Sequence, residues 1–160
     1  MMGRIGLTLA IVVGVVAVAT VGDARPPDTS VVVGEVSTLG ADHADVLPAL
    51  RGMVEDEVGA IDKASLPRGA GPTILSVSLV HMESRETEDG SAHGVRGVEI
   101  SCEVSGALRS ARRGAMFAVL EGRASARGDA RSAASLEHAT LRAAVSSAVS
   151  RVGDAMKRRR

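Results

Sequence analysis

Residues 98–108, VEISCEVSGAL, alternate apolar and polar side chains more regularly than any other part of the chain. The apolar positions are Val98, Ile100, Cys102, Val104 and Leu108. A period of two residues puts successive side chains on opposite faces of a β-strand. The stretch therefore predicts a strand with one buried face, and that face includes Cys102.

A second alternating stretch follows after a short polar turn. Residues 109–114 supply the turn, and residues 115–127 then alternate again. This second pattern puts Met116 on the same side as Leu120 and opposite Phe117. Two alternating runs joined by a short turn predict an antiparallel hairpin.

Two more strands are predicted upstream of the hairpin. Residues 73–83 alternate, with serines between Leu75 and Leu79, and residues 31–36, VVVGEV, form a short β-branched run. Residues 83–97 are charged and contain glycines, which predicts a loop between strands.

Two amphipathic helices flank these strands. In the first, apolar residues recur at three- and four-residue steps, at Val46, Leu47, Leu50, Val54, Val58 and Ile61. Asp45 or Asp42 is expected to cap this helix, and Pro48 is tolerated because it falls in the first turn. The second helix spans residues 132–156, and its stripe consists of Leu141, Val145, Ala148, Val149, Val152 and Met156.

The order of elements predicts the fold class. Consecutive strands with short connections pair antiparallel, and the apolar stripes of both helices need a sheet to pack against. The sequence predicts an α+β two-layer sandwich, in which two amphipathic helices cover a three- to four-stranded, mainly antiparallel sheet. Because Phe117 is the only aromatic residue, the core is expected to be aliphatic.

The amino-terminal segment has the three-part architecture of a secretory signal peptide. Residues 1–4 are basic, residues 5–19 are apolar or small, and polar and proline residues follow. The apolar run is shorter than the roughly 20 residues that span a bilayer as a helix. We therefore predict an exported protein, either periplasmic or secreted.

The predicted boundaries follow from this leader. Residues 1–24 form the signal peptide, residues 25–30 a linker, and residues 31–160 a single domain. Cleavage after Ala19 instead of Ala24 remains open. A second alternative keeps the leader uncleaved, with residues 5–21 as a membrane anchor.

The order of elements resembles small periplasmic domains, such as those in the activator lipoprotein of penicillin-binding proteins and in the curli-secretion lipoprotein. The resemblance rests on residues 31–36, the helix from Asp45 and the strands within residues 73–127. It implies a sheet backed by helices, and no functional residue carries over. No cysteine follows the apolar run, which departs from the lipid-attachment site of such lipoproteins.

Cys102, the only cysteine, is the strongest nucleophile candidate. It would need His81 or His93 beside it, since a thiolate requires a neighbouring base or cation at neutral pH. Its inward position predicts a small buried hydrophobe instead. The histidines, His43, His81, His93 and His138, lack the spacing that brings two imidazoles to one metal ion. We predict no catalytic residue, no cofactor and no metal site.

Three charged clusters are candidate ligand sites, one acidic and two basic. The acidic stretch contains Glu83, Glu86, Glu88 and Asp89 but lacks the spacing of a calcium loop, which predicts a solvated loop. The basic clusters are Arg109, Arg112 and Arg113 at the hairpin turn and Lys157, Arg158, Arg159 and Arg160 at the carboxyl end. Each is an anion-docking candidate, although solvated turns and helix ends also favour cations.

These observations favour a non-catalytic exported domain that presents its sheet or helix faces to another envelope protein. Nucleic acid is an unfavourable partner, because the formal net charge is +0 and there is no Trp or Tyr to stack on bases. The alternatives are an enzyme that uses Cys102 and a membrane-tethered binder that retains residues 5–21.

Overall fold

The computed structural model describes residues 29–39, 41–87 and 96–159. The strands are β1 (Ser30–Thr38), β2 (Pro72–Thr87), β3 (Gly97–Ser110) and β4 (Met116–Asp129). The α-helices are α1 (Leu47–Gly59), α2 (Ala133–Val149) and α3 (Val152–Arg158). Short 3₁₀ helices are Ala41–Val46, Lys63–Ser65 and Ala130–Ser132. The predicted signal peptide lies outside the described residues, as does most of the predicted linker.

The four strands form one sheet in the order β1-β2-β3-β4. The β2–β3 and β3–β4 pairs are antiparallel, whereas β1 and β2 are parallel because α1 lies between them in the chain. The predicted α+β class with a mainly antiparallel sheet is confirmed.

All three α-helices contribute to a core on one face of the sheet, which we call the covered face. Its fully buried members include Leu50, Leu75, Val104, Val145 and Met156. These side chains come from α1, β2, β3, α2 and α3 in turn, so a single core joins the described helices and sheet. It is aliphatic, as the composition predicts.

The opposite face of the sheet carries the alternate residues of each strand, and we call it the open face. On β2, Leu75, Val77 and Leu79 are buried, and the intervening Ser76 and Ser78 are partly exposed. The side chains of the open face lie in rows across the strands, and the register of the strands fixes which residues are neighbours.

Three predicted boundaries were wrong, and the first is the end of β2. Strand β2 continues to Thr87, so Glu83, Arg85 and Glu86 lie on a strand and not in a loop. Pairing with residues 97–101 on β3 continues the hydrogen-bonded ladder through these charged positions.

The helix limits also differ from the prediction. The N-cap of α1 is Val46, without a side-chain cap, instead of Asp45 or Asp42; a 3₁₀ helix precedes it, and Pro48 falls in the first turn as expected. The second predicted helix is two helices, because the chain breaks at Ser150 and Arg151 before α3 begins.

Candidate functional site

The half of the open face nearest the β3–β4 turn is apolar. One row across the strands contains Val32, Ile74, Arg109 and Met116, and the next contains Ser76, Ala107 and Val119. Val32, Met116 and Val119 are exposed to 47%, 57% and 57%. We call the set Val32, Ile74, Ala107, Met116 and Val119 the apolar half. Small side chains separate the members of the second row, and the first row includes one cation, Arg109, between Ile74 and Met116.

A β-bulge at Phe117 creates part of this surface. Arg109 pairs with Met116 and Leu108 pairs with Ala118, so Phe117 is the extra residue on β4. The bulge moves Met116 to the open face, which corrects the prediction that Met116 and Leu120 share a side. Phe117 packs against the edge of the core instead, and the Arg159 guanidinium carbon lies 4.4 Å from its ring centroid.

The other half of the open face consists of ion pairs between neighbouring strands. Arg123 Nη2 donates to Glu103 Oε1 at 2.9 Å, and Arg127 Nη2 donates to Glu99 Oε2 at 3.1 Å. In each of these cross-strand pairs the two opposite charges neutralise each other, so this part of the open face has little net charge. We call Glu99, Glu103, Arg123 and Arg127 the ion-paired half.

The acidic stretch of the sequence joins the ion-paired half at the β2 edge. Arg85 Nε donates to Glu83 Oε1 at 2.7 Å, and this hydrogen bond is the main reason that the pKa of Glu83 lies below its ordinary value. His81 Nε2 lies 3.4 Å from Glu83 Oε2. Glu88 and Asp89 lie outside the described residues. Glu83 is therefore already paired with a cation, Arg85, on the same strand.

Cys102 lies on the covered face, as the alternation predicts. It is 3% exposed, and burial, with a smaller effect from the charge of Glu137, raises the pKa of its thiol to about 11. His81 lies on the open face, on the other side of the sheet from Cys102, and His93 is outside the described residues. The structure does not bring a described histidine to Cys102, so the thiol remains neutral at physiological pH.

The described residues also contain no group of three or more His, Cys, Asp and Glu side chains arranged to hold a metal ion. His43 lies beside α1 and His138 is exposed on α2. The histidines are thus dispersed over the fold wherever the structure describes them.

A groove of about 510 Å³ runs between the edge strand β4 and α3. Phe117 and Val119 line its strand side, and Arg151, Arg158 and Arg159 line its helix side. The sequence marked Arg158 and Arg159 as basic tail residues, but the contribution of Arg151 was missed. Arg151 and Arg158 are seven residues apart in the sequence. This spacing places both on one face of a helix and could have identified Arg151.

None of the helices in the described part of the chain combines the length and the apolar composition needed to cross a bilayer.

No protein-family model matches the chain, and no curated protein matches it. Solved structures similar to it include a minor lipoprotein from Acinetobacter baumannii, with 10% identity, covering 75% of this chain and 90% of that one, at a TM-score of 0.45. A lipoprotein from Caulobacter crescentus has 16% identity, covers 81% and 88% of the two chains, and has a TM-score of 0.45. A PelC dodecamer from Paraburkholderia phytofirmans has 15% identity, covers 76% and 89%, and has a TM-score of 0.41.

Two of these structures are of the lipoprotein class that the sequence resembles, and the likeness to them is distant. Likeness at this level assigns no activity, ligand or partner to the chain.

Proposed function

We propose that the chain is an exported, non-catalytic accessory protein of the bacterial envelope that binds another envelope protein through the apolar half. The observation that carries this proposal is the exposure of Val32, Met116 and Val119, all about half exposed, on the open face. Val32 lies on the β1 edge and the other two on the β4 edge, and Ile74, Ala107 and Arg109 lie in the rows that connect them. Contiguous exposed apolar side chains mark interaction surfaces more often than isolated ones do.

The chemistry around this cluster indicates what kind of partner fits. Ser76 and Ala107 separate the larger side chains, so the partner meets a low surface on which Arg109 is the one charged residue of the two rows. The charges of the neighbouring ion-paired half already neutralise one another, so they orient a partner more than they attract it. A partner with an apolar patch matches this arrangement. A glycan is less suitable, because Phe117, the only aromatic residue, packs against the core.

The absence of catalysis is part of the proposal. Cys102 is buried, and the pKa of its thiol is raised, so it lacks the two properties of a catalytic cysteine. Rapid modification of Cys102 by a thiol reagent in the native protein, at neutral pH, would favour the enzyme alternative instead.

Export is proposed from the leader in residues 1–24. The mass of the chain isolated from the producing cell separates the alternatives. A mature chain that begins at Arg25 or Thr20 supports cleavage, and a full-length chain in the membrane fraction supports the anchored alternative.

Site-specific photo-crosslinking in the producing cell tests the binding surface. A photoreactive amino acid is placed at Val32 or Val119 in the apolar half, and at Ser125 on the same strand as Val119 as the control. We expect Val32 and Val119 to yield an adduct of the same mass, and Ser125 to yield none.

Equal adducts from Val119 and Ser125 would contradict a discrete surface. An adduct with twice the mass of the chain would show self-association through the open face, and the hetero-partner proposal would then be wrong. No adduct at either apolar position would also contradict it.

A further inference from the structure

Many arginines of the described residues are paired. Arg51, Arg85, Arg96, Arg123, Arg127 and Arg142 each make an ion pair with a carboxylate. Within the described part of the chain, no side-chain ion pair links Arg109, Arg112, Arg113, Arg158 or Arg159 to an acidic residue. We call these last five the arginine end.

The fold brings the arginine end together from two separate segments. Arg112 and Arg113 lie in the β3–β4 turn, and Arg109 is paired with Met116 on the other side of that turn. Arg159, at the end of α3, stacks on Phe117, the residue that follows Met116. The turn and the carboxyl end of α3 therefore meet at one end of the sheet.

The residues next to these arginines in the chain do not neutralise them. Glu121 lines the same groove as Arg158 and Arg159, but its ion pair is with Arg123, at 3.6 Å. Residues 109–116 and residues 155–159 contain no Asp or Glu. Lys157, the other cation of α3, pairs with Asp154 at 3.3 Å and is not part of this surface. A chain with a formal net charge of +0 thus concentrates unpaired positive charge at one end.

The amino-terminal segment joins the domain at this same end. Ser30 pairs with Pro72, and the Pro72 carbonyl accepts from the Ala111 amide at 3.1 Å, so β1 begins beside the arginine-bearing turn. Thr29 Oγ1 donates to the Pro67 carbonyl at 2.8 Å and fixes where the chain enters. Residues 20–28 connect the apolar run to this point and span about 30 Å at most when extended.

We propose that the arginine end is a docking surface for anionic phospholipid, with the guanidinium groups on headgroup phosphates. One observation and one prediction lead to this occupant. The positive charge has no carboxylate in an ion pair with it among the described residues, and it matches anionic lipid. The leader predicted from the sequence would keep this end near the bilayer for as long as it lies in the membrane. The inference goes beyond partner binding by the apolar half, and either can fail without the other.

Vesicle binding of the full chain, in the form isolated from the producing cell, tests the proposal. Vesicles of phosphatidylcholine alone are compared with vesicles containing one third phosphatidylglycerol. We expect binding to the second kind only, weakening as salt rises. The triple variant Arg109→Gln, Arg112→Gln, Arg113→Gln should bind roughly 100-fold more weakly, since each arginine near a charged bilayer contributes about fivefold.

A matched control variant loses the same number of positive charges, one from β2 and two from the ion-paired half. The variant Arg85→Gln, Arg123→Gln, Arg127→Gln should change vesicle affinity by no more than about twofold. An equal loss in both variants would show that net charge alone matters and would overturn the proposal. Equal wild-type binding to both kinds of vesicle would also overturn it.

If the leader is retained, it can hold every variant on the vesicle, and binding alone then does not distinguish them. A dye whose emission depends on the polarity of its surroundings gives a second measurement. The dye is attached to Ala111→Cys in the turn, or to Ser125→Cys at the far part of β4 as a control. Its emission should shift to the blue at Ala111 with anionic vesicles and not at Ser125. No shift at Ala111 with anionic vesicles, or equal shifts at Ala111 and Ser125, would refute lipid docking by the arginine end.

Discussion

The two faces of the sheet are made by the same four strands but differ in what their side chains contact. On β2, Leu75 is buried against the helices, and Ser76, the next residue, faces solvent on the other side. On β3, Val104 and Ser105 differ in the same way. The covered face therefore contains the buried core, whereas side chains of the open face are partly or largely exposed. Exposed apolar side chains on the open face call for an explanation other than folding.

The largest expected effect comes from the core. Leu75→Ala should lower the free energy of unfolding by about 3.5 kcal/mol, because it leaves a cavity in the core of the covered face. Ser76→Ala, one residue away on the open face, should change it by less than about 0.5 kcal/mol. Urea unfolding followed by circular dichroism measures both. Similar losses in the two variants would contradict the assignment of the faces.

The close approach of α2 to β4 gives the second effect. A Cβ atom at Gly122 would overlap the Ala144 carbonyl oxygen and lie 2.8 Å from the Ala148 amide nitrogen. Gly122→Ala should therefore cost about 3 kcal/mol, since backbone atoms cannot yield as a flexible side chain can.

Gly52→Ala is the matched control for Gly122→Ala. A Cβ at Gly52 meets nothing within 4 Å, and alanine favours the helix, so this variant should gain about 0.5 kcal/mol. Thermal unfolding of both variants checks the pair. A stable Gly122→Ala variant would mean that α2 packs farther from the sheet.

The third effect depends on pH. The pKa of Cys102 rises from 9.0 to about 11 in the folded chain, so only the unfolded chain releases the thiol proton between these values. Stability that is fully present below about pH 9 should fall by on the order of 2 kcal/mol as the pH approaches 11. No tyrosine titrates in this window, because the chain has none.

Urea unfolding at about pH 8 and about pH 10.5 measures this loss. Cys102→Ala should remove most of the pH dependence while retaining the fold. An equally steep loss in the Cys102→Ala variant would assign it to other groups.

The smallest effect is expected on the ion-paired half. Arg123→Gln removes contacts to Glu103 and Glu121, at 2.9 and 3.6 Å, and should cost about 0.5 kcal/mol, less at high salt. Arg113→Gln, which breaks no described ion pair, should cost nothing measurable. A loss above about 1.5 kcal/mol in Arg123→Gln would show that this half contributes to folding.

The fold class could be predicted from the sequence because apolar residues recur with the period of the strand or helix that buries them. The alternation of residues 98–108 identified β3 and the inward position of Cys102, and the stripe from Leu141 to Met156 identified the helical residues that the sheet buries. Each of these patterns depends on local spacing, which a single sequence contains.

The features that the sequence did not reveal depend on pairing between distant residues. The continuation of β2 through Glu83 and Arg85 requires β3 as a partner, and charged residues alone indicate a loop. The bulge at Phe117 reverses the side of Met116, and alternation by itself contains no sign of it. The apolar half was therefore invisible before the strands were aligned.

One measurement tests most directly whether the open face serves binding and not folding. A photoreactive amino acid at Ala107, at the centre of the apolar half, is combined with Val32→Asp and Val119→Asp. We predict that the double substitution abolishes the adduct from Ala107 while the free energy of unfolding stays within about 1 kcal/mol of the parent chain. An undiminished adduct would contradict the account, as would an adduct lost together with several kcal/mol of stability.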